Sequence, residues 1–142
     1  MPNLFKVSEM SALGLHAMAL LAGTPGRLVQ TREIARRLQA SEATLTKVLI
    51  ALRRARLIKT MRGPKGGSAL GRSPERISLK QIYEAVEGKL KVGKCMFNHP
   101  VCGRRRCALG GFLEDINRQV ADKLKETKLS DFTLAMGGKR GQ

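Results

Sequence analysis

The chain's 142 residues, 42% of them hydrophobic, suffice for one buried core, exclude a disordered chain, and are too few for two full-sized domains. Its 27 Lys and Arg against 11 Asp and Glu leave a formal net charge of +16, which calls for a polyanionic partner. No apolar stretch approaches the roughly 20 residues that span a bilayer; no membrane partner is expected.

The first predicted helix starts after Ser8, a good N-cap, and carries Met10, Leu13, Ala17, Leu20 and Leu21 on one face until Gly23-Thr24-Pro25-Gly26 breaks it. Met10 to Ala22 is the most apolar segment, yet it lacks the basic run and small-residue cleavage site of an export signal, so a cytoplasmic location is expected. Thr31 is placed to cap a second helix through Ile34, Ala35 and Leu38. After a short turn at Ala40-Ser41, a third helix turns Leu45, Val48, Leu49 and Leu52 inward. Two helices joined by so short a turn form a helix-turn-helix.

The third helix is the candidate for the major groove of double-stranded DNA. Glu42, Thr44, Thr46 and Lys47 stand as exposed donors and acceptors near its start, where a recognition helix reads base edges. Arg53, Arg54, Arg56, Lys59, Arg62 and Lys65 then follow with no acid among them, and residues 27–76 hold 13 basic residues against 3 acids. Such a run suits phosphate contacts, which set register without reading sequence.

Leu57 to Met61 is predicted as a strand, Arg62-Gly63-Pro64-Lys65-Gly66-Gly67 as a turn, and Ser68 to Leu70 as the antiparallel return: a wing. Its tip has two cations and no bulky side chain, so Arg62 suits a narrow, A·T-rich minor groove. Ser78, three residues before Gln81, gives a capping box for a fourth helix from Leu79 to about Glu87, stopped by Gly88; Ile77 and Ile82 form its hydrophobic staple. The fold class expected is mainly α: a winged helix-turn-helix domain over residues 1–90 with a small hairpin wing.

Cys95, Cys102 and Cys107 follow in a loop expected at 91–108, beside Lys91, Lys94, Arg104, Arg105 and Arg106. An odd count and a reducing compartment disfavour disulfides; three thiols among cations suit a soft metal or an iron–sulfur cluster. With His99 the three cysteines would also make a Cys₃His zinc set. There is no Cys-x-x-Cys and no Gly-rich nucleotide loop followed by Lys, so no enzyme is expected. Leu109, Phe112, Leu113, Ile116, Val120 and Leu124 then form one apolar stripe on a long helix, expected with its end at 109–134 and as the seam of a homodimer. Residues 135–142 lack apolar content apart from their start and are expected as a disordered tail.

From Leu4 to about Leu134 the chain resembles the winged-helix transcriptional regulators typified by the iron–sulfur cluster regulator IscR and the nitric-oxide-sensitive repressor NsrR, with the iron regulator RirA and the cysteine regulator CymR as relatives. The wing followed by Leu70-Gly71, the segment Ile77 to Val86, and the three-cysteine loop carry the resemblance in that order. It implies a homodimeric DNA-binding regulator with a 2Fe-2S or 4Fe-4S cluster on Cys95, Cys102 and Cys107. The intervals of six and four residues differ from the five and five common in the family. CymR-like members lack the triad.

A cluster takes four ligands, and the chain has three thiols. The resemblance implies a fourth in two ways. In IscR-like proteins a His lies three residues after the last cysteine, where this chain has Gly110. In NsrR-like proteins an N-terminal Asp of the partner subunit serves, and Glu9 falls at the matching place. Glu9 also suits the first turn of a helix for its charge alone, and His99 is the other candidate. His16 is expected to pack or face solvent.

Overall fold

A computed structural model describes residues 7–97, 101–102 and 107–132. His99, Arg104, Arg105, Arg106 and the expected tail lie outside them. Helix α1 (Glu9–Ala22) is capped by Ser8, whose hydroxyl accepts from the Ser11 N–H at 3.1 Å, and its Leu13, Ala17, Met18 and Leu21 enter the core. Helix α2 (Thr31–Leu38) leads through left-handed Gln39 to Ser41, the cap of α3 (Glu42–Arg54). All four residues expected inward on α3, Leu45, Val48, Leu49 and Leu52, are buried.

The start of α2 differs from expectation. Thr31 is the first helical residue, and the cap position belongs to Gln30 at φ −69°, ψ 146°. Val29 and Ser68 exchange two backbone hydrogen bonds of 2.9 Å, so the chain stays extended through residue 30 before it can coil.

Strands β1 (Ile58–Met61) and β2 (Gly67–Leu70) form an antiparallel hairpin, Ile58 opposite Leu70 and Met61 opposite Gly67. Two glycines at its turn are sterically required: a Cβ at Gly66 would stand 2.1 Å from the Met61 carbonyl oxygen, and one at Gly67, 2.7 Å from the Val29 backbone. A 3₁₀ turn at Pro74–Arg76, which no sequence pattern announced, precedes α4 (Leu79–Glu87). The capping box of α4 forms as expected, Ser78 accepting from the Gln81 N–H at 3.2 Å and Gln81 Oε1 accepting from the Ser78 N–H at 2.9 Å. This is a winged helix-turn-helix fold.

Helix α5 (Gly110–Glu126) has no buried residue. Phe112 is 62% exposed and Val120 48%, while Leu124 reaches the edge of the core. Beyond α5 the chain turns back into the winged unit. Lys128 bridges Ser78, the Leu129 N–H donates to the Ile77 carbonyl at 2.8 Å, and the Leu129 side chain is fully buried. Phe132 meets the His16 ring edge-on at 5.8 Å, so His16, though exposed, is packed on one side. Among the described residues no helix is long and apolar enough to cross a membrane.

Candidate nucleic-acid interface and cysteine segment

The recognition helix and the wing face each other across an open groove of about 230 Å³. Thr46 and Arg53 of α3 line it from one side, Thr60 and Arg62 of the wing from another, and Thr31 at the start of α2 closes one end. Of the expected contacts, Glu42, Lys47, Arg54, Arg56, Lys59 and Lys65 are exposed but do not line this groove. Thr44 is only half exposed, because it sits in the first turn against the cap: the Ser41 hydroxyl donates to its Oγ1 at 2.8 Å. The Thr46 hydroxyl donates back to the Glu42 carbonyl at 2.7 Å. Thr31, Thr60 and the 39%-exposed Ile50 also line or edge the groove, and nothing in the local sequence marked them.

The charge on this face is free for a partner. Among the described residues, Lys47, Arg53, Arg62 and Lys65 enter no ion pair, whereas Arg27 and Arg37 both bind Glu33, at 2.7 and 3.0 Å. Hydrogen bonding from Arg27 holds the Glu33 carboxyl below the usual carboxylate range against the opposing effect of burial, with the charges of Arg27, Arg37 and Arg36 adding to it. Arg27 and Arg37 are therefore partly neutralised on the spot, and the uncompensated cations cluster on α3 and the wing.

In the cysteine segment, Cys95 is half exposed and Cys102 and Cys107 are exposed, all three as free thiols. The Cys95 sulfur accepts from the Phe97 N–H at 3.4 Å, the kind of amide bond that tunes cluster sulfurs. Two bonds tie this segment to α5: Asn117 Nδ2 donates to the Gly93 carbonyl at 2.8 Å, and Lys94 Nζ lies 3.9 Å from Glu114. Lys94, one of the cations beside the cysteines, thus has a carboxylate already next to it. A Cβ at Gly110 would stand 3.4 Å from the Cys107 Cβ and 4.0 Å from the Lys94 carbonyl, so both ends of the cysteine segment meet at the start of α5. The position where IscR-like proteins carry His therefore abuts a thiol here, but holds glycine. In donor chemistry the three thiols fit an iron–sulfur cluster; in this single chain they are not gathered. Among the described residues no three of His, Cys, Asp and Glu come together as a metal site.

Glu9 lies elsewhere. It is exposed and lines a separate groove with Ala12, His16, Arg37 and Gln39, between α1 and the end of α2, and no cysteine lines that groove. The residues beside it hold α1 to α4: Glu87, the last residue of α4, accepts from the hydroxyls of Ser8 and, at 2.7 Å, Ser11. Ser11 first and Ser8 second keep the Glu87 carboxyl below the usual carboxylate range. The tie is thus fully made above that range and is lost as the pH falls through the lowered value.

Fold and groove define a helix-turn-helix DNA-binding protein of the winged type. The family model of Rrf2, described as an iron-dependent transcriptional regulator, matches residues 7–134, and the chain belongs to this family. It is 33% identical over 132 residues to the HTH-type transcriptional regulator IscR of Cereibacter sphaeroides, a match covering 87% of this chain and 85% of that one. It is 39% identical over 82 residues to BadM, a transcriptional regulator of Rhodopseudomonas palustris, covering 58% of this chain and about half (53%) of BadM. Among solved structures, CymR, the global cysteine regulator of B. subtilis, superposes with a TM-score of 0.77 at 28% identity, covering 93% of this chain and 98% of CymR.

Proposed function

We propose that the chain is a homodimeric transcriptional regulator whose binding to double-stranded DNA is controlled by an iron–sulfur cluster held through Cys95, Cys102 and Cys107. The observation that carries this reading is the convergence of the cysteine segment on the start of α5, in a chain that also bears unpaired cations around a groove between α3 and the wing. When bound, such a cluster supplies a centre that responds to oxidants, nitric oxide or iron supply. The protein's own residues do the rest. The thiols hold the group, Glu114 and Asn117 fix the segment to α5, and α5 carries the seam of the dimer. Cys95, Cys102 and Cys107 all fall within the region proposed as a separate unit, 91–108, between the DNA-binding domain at 1–90 and the dimer helix with its end at 109–134.

Arg53, which lines the groove, is proposed with Arg54, Arg56, Lys59 and Lys65 to meet phosphates, Glu42, Thr44, Thr46 and Lys47 to reach base edges, and Arg62, on the groove's wing side, to enter the minor groove. DNA binding is expected to fall steeply with salt, by about 0.9 in log affinity per log salt for each phosphate contact. Arg62→Ala is expected to weaken A·T-rich sites more than G·C-rich ones at the wing position. Equal loss on both, measured by fluorescence anisotropy, would reduce Arg62 to a phosphate contact.

Glu9, extending from α1, is proposed to reach the cluster of the partner subunit. Glu9→Ala should then shorten cluster lifetime and alter its absorption, whereas a role confined to the helix start costs roughly 0.3 to 1 kcal/mol of stability with the spectrum unchanged. His99→Ala is the control for the rival ligand. An anaerobic absorption spectrum with iron and acid-labile sulfide analysis tests the whole reading. Colourless protein with stoichiometric zinc would support a structural zinc site instead, and metal-free protein a cluster-free regulator, the reading that likeness to CymR favours.

A further inference from the structure

Gln30 stands at the cap of α2, where a side chain ordinarily accepts from the free N–H groups of the helix, and it makes no such bond. Its Nε2 instead donates at 2.9 Å to the carbonyl oxygen of Pro64, 34 residues further along the chain. Pro64 is the middle of the wing tip, between Arg62 and Lys65. The wing is therefore fastened to the start of α2 twice. The backbone pair of Val29 and Ser68 holds β2 one residue pair short of the turn, and the Gln30 side chain holds the turn itself.

The two fastenings are unequal. The backbone pair is buried at Val29 and Ser68, whereas Gln30, Pro64 and their bond are exposed. Within the tip itself the Gly66 N–H donates to the Gly63 carbonyl at 3.0 Å, which closes the turn but does not fix where the turn points. Among the described residues, the hydrogen bond from Gln30 is the one that ties the turn beside Arg62, beyond the Val29–Ser68 pair, to the neighbouring helix start.

We infer that Gln30 is a positioning residue for DNA recognition: by holding the Pro64 carbonyl it fixes the wing tip, and with it the width of the groove between Arg53 and Arg62. The inference rests on the reading of that groove as the DNA surface. Gln30 acts through Arg62 rather than on the nucleic acid.

The test is a double-mutant cycle. Affinity for a duplex recovered by the wild-type protein from a randomised pool is measured for wild type, Gln30→Ala, Arg62→Ala and the double variant. Trypsin cleavage after Arg62 and Lys65 is followed in the free proteins by mass spectrometry. Gln30→Ala should weaken binding by about two- to tenfold, the worth of one hydrogen bond, and the double variant should bind no worse than Arg62→Ala alone. Wing cleavage should run several-fold faster in Gln30→Ala, and Gln30→Met, which keeps the length without the donor, should match it in both readouts. Additive losses with unchanged cleavage would mean that Gln30 touches DNA directly, and wild-type affinity in Gln30→Ala would mean that it does not matter; either overturns the inference while the wing reading stands. Wild-type affinity in Arg62→Ala overturns the wing reading, and the inference with it, through a variant in which Gln30 is untouched.

Discussion

Anaerobically purified Cys95→Ala, Cys102→Ala and Cys107→Ala proteins should each lose most of their iron and acid-labile sulfide. The loss is large because the chain has three cysteines in all, so no other thiol can replace the one removed, and Gly110 offers no side chain three residues after the last of them. Even removal of an outer partner of a metal ligand costs about 10- to 100-fold in affinity, and removal of a thiolate that bonds iron directly costs more. Folding should survive, because Cys102 and Cys107 are exposed and Cys95 is half exposed, so melting curves of the metal-free variants should overlay that of metal-free wild type. Full iron in all three variants would show that the ligand assignment is wrong.

Val120→Lys should turn a dimer into a monomer. Along α5 the apolar residues Leu109, Phe112 and Val120 are 46%, 62% and 48% exposed, and no residue of the helix is buried within its own chain. If α5 forms the proposed homodimer seam, an ammonium placed there would be desolvated without a partner, at a cost of several kcal/mol. At about 1.4 kcal/mol per decade, dimer affinity falls a hundredfold or more. Sedimentation equilibrium at micromolar concentration reads the result, and a monomeric wild type would sink the seam itself.

What the sequence made legible is what neighbouring residues decide. Ser78 and Gln81 lie three apart and close a box whatever the rest of the chain does, and the inward set of α3 follows from its period alone. The order of helix, helix-turn-helix, hairpin and helix was legible for the same reason. The cap of α2 was not, since Thr31 is displaced by an extended residue whose conformation is imposed by Ser68, far along the chain. The groove likewise draws Thr31, Thr60 and Ile50 from three elements, and no local pattern links them. The cysteines stand out in the sequence as donors, but whether they meet depends on backbone between helices rather than on any period, and among the described residues no three of His, Cys, Asp and Glu come together.

The return of the chain after α5 bears on how such regulators can be recombined. Leu129, fully buried, donates its backbone N–H to Ile77, and the Leu79 N–H donates to the Thr127 carbonyl at 3.0 Å, so the far end of the sequence lines the floor under α4. The DNA-reading head is therefore not a cassette that can be cut at the last residue of α4 and grafted onto another sensor. A chimaera joined there would leave the Ile77 carbonyl and the Leu79 N–H without their partners at Leu129 and Thr127, so the graft is expected to need residues 127–132 of the same parent. Head and tail of this chain are bound to be inherited together.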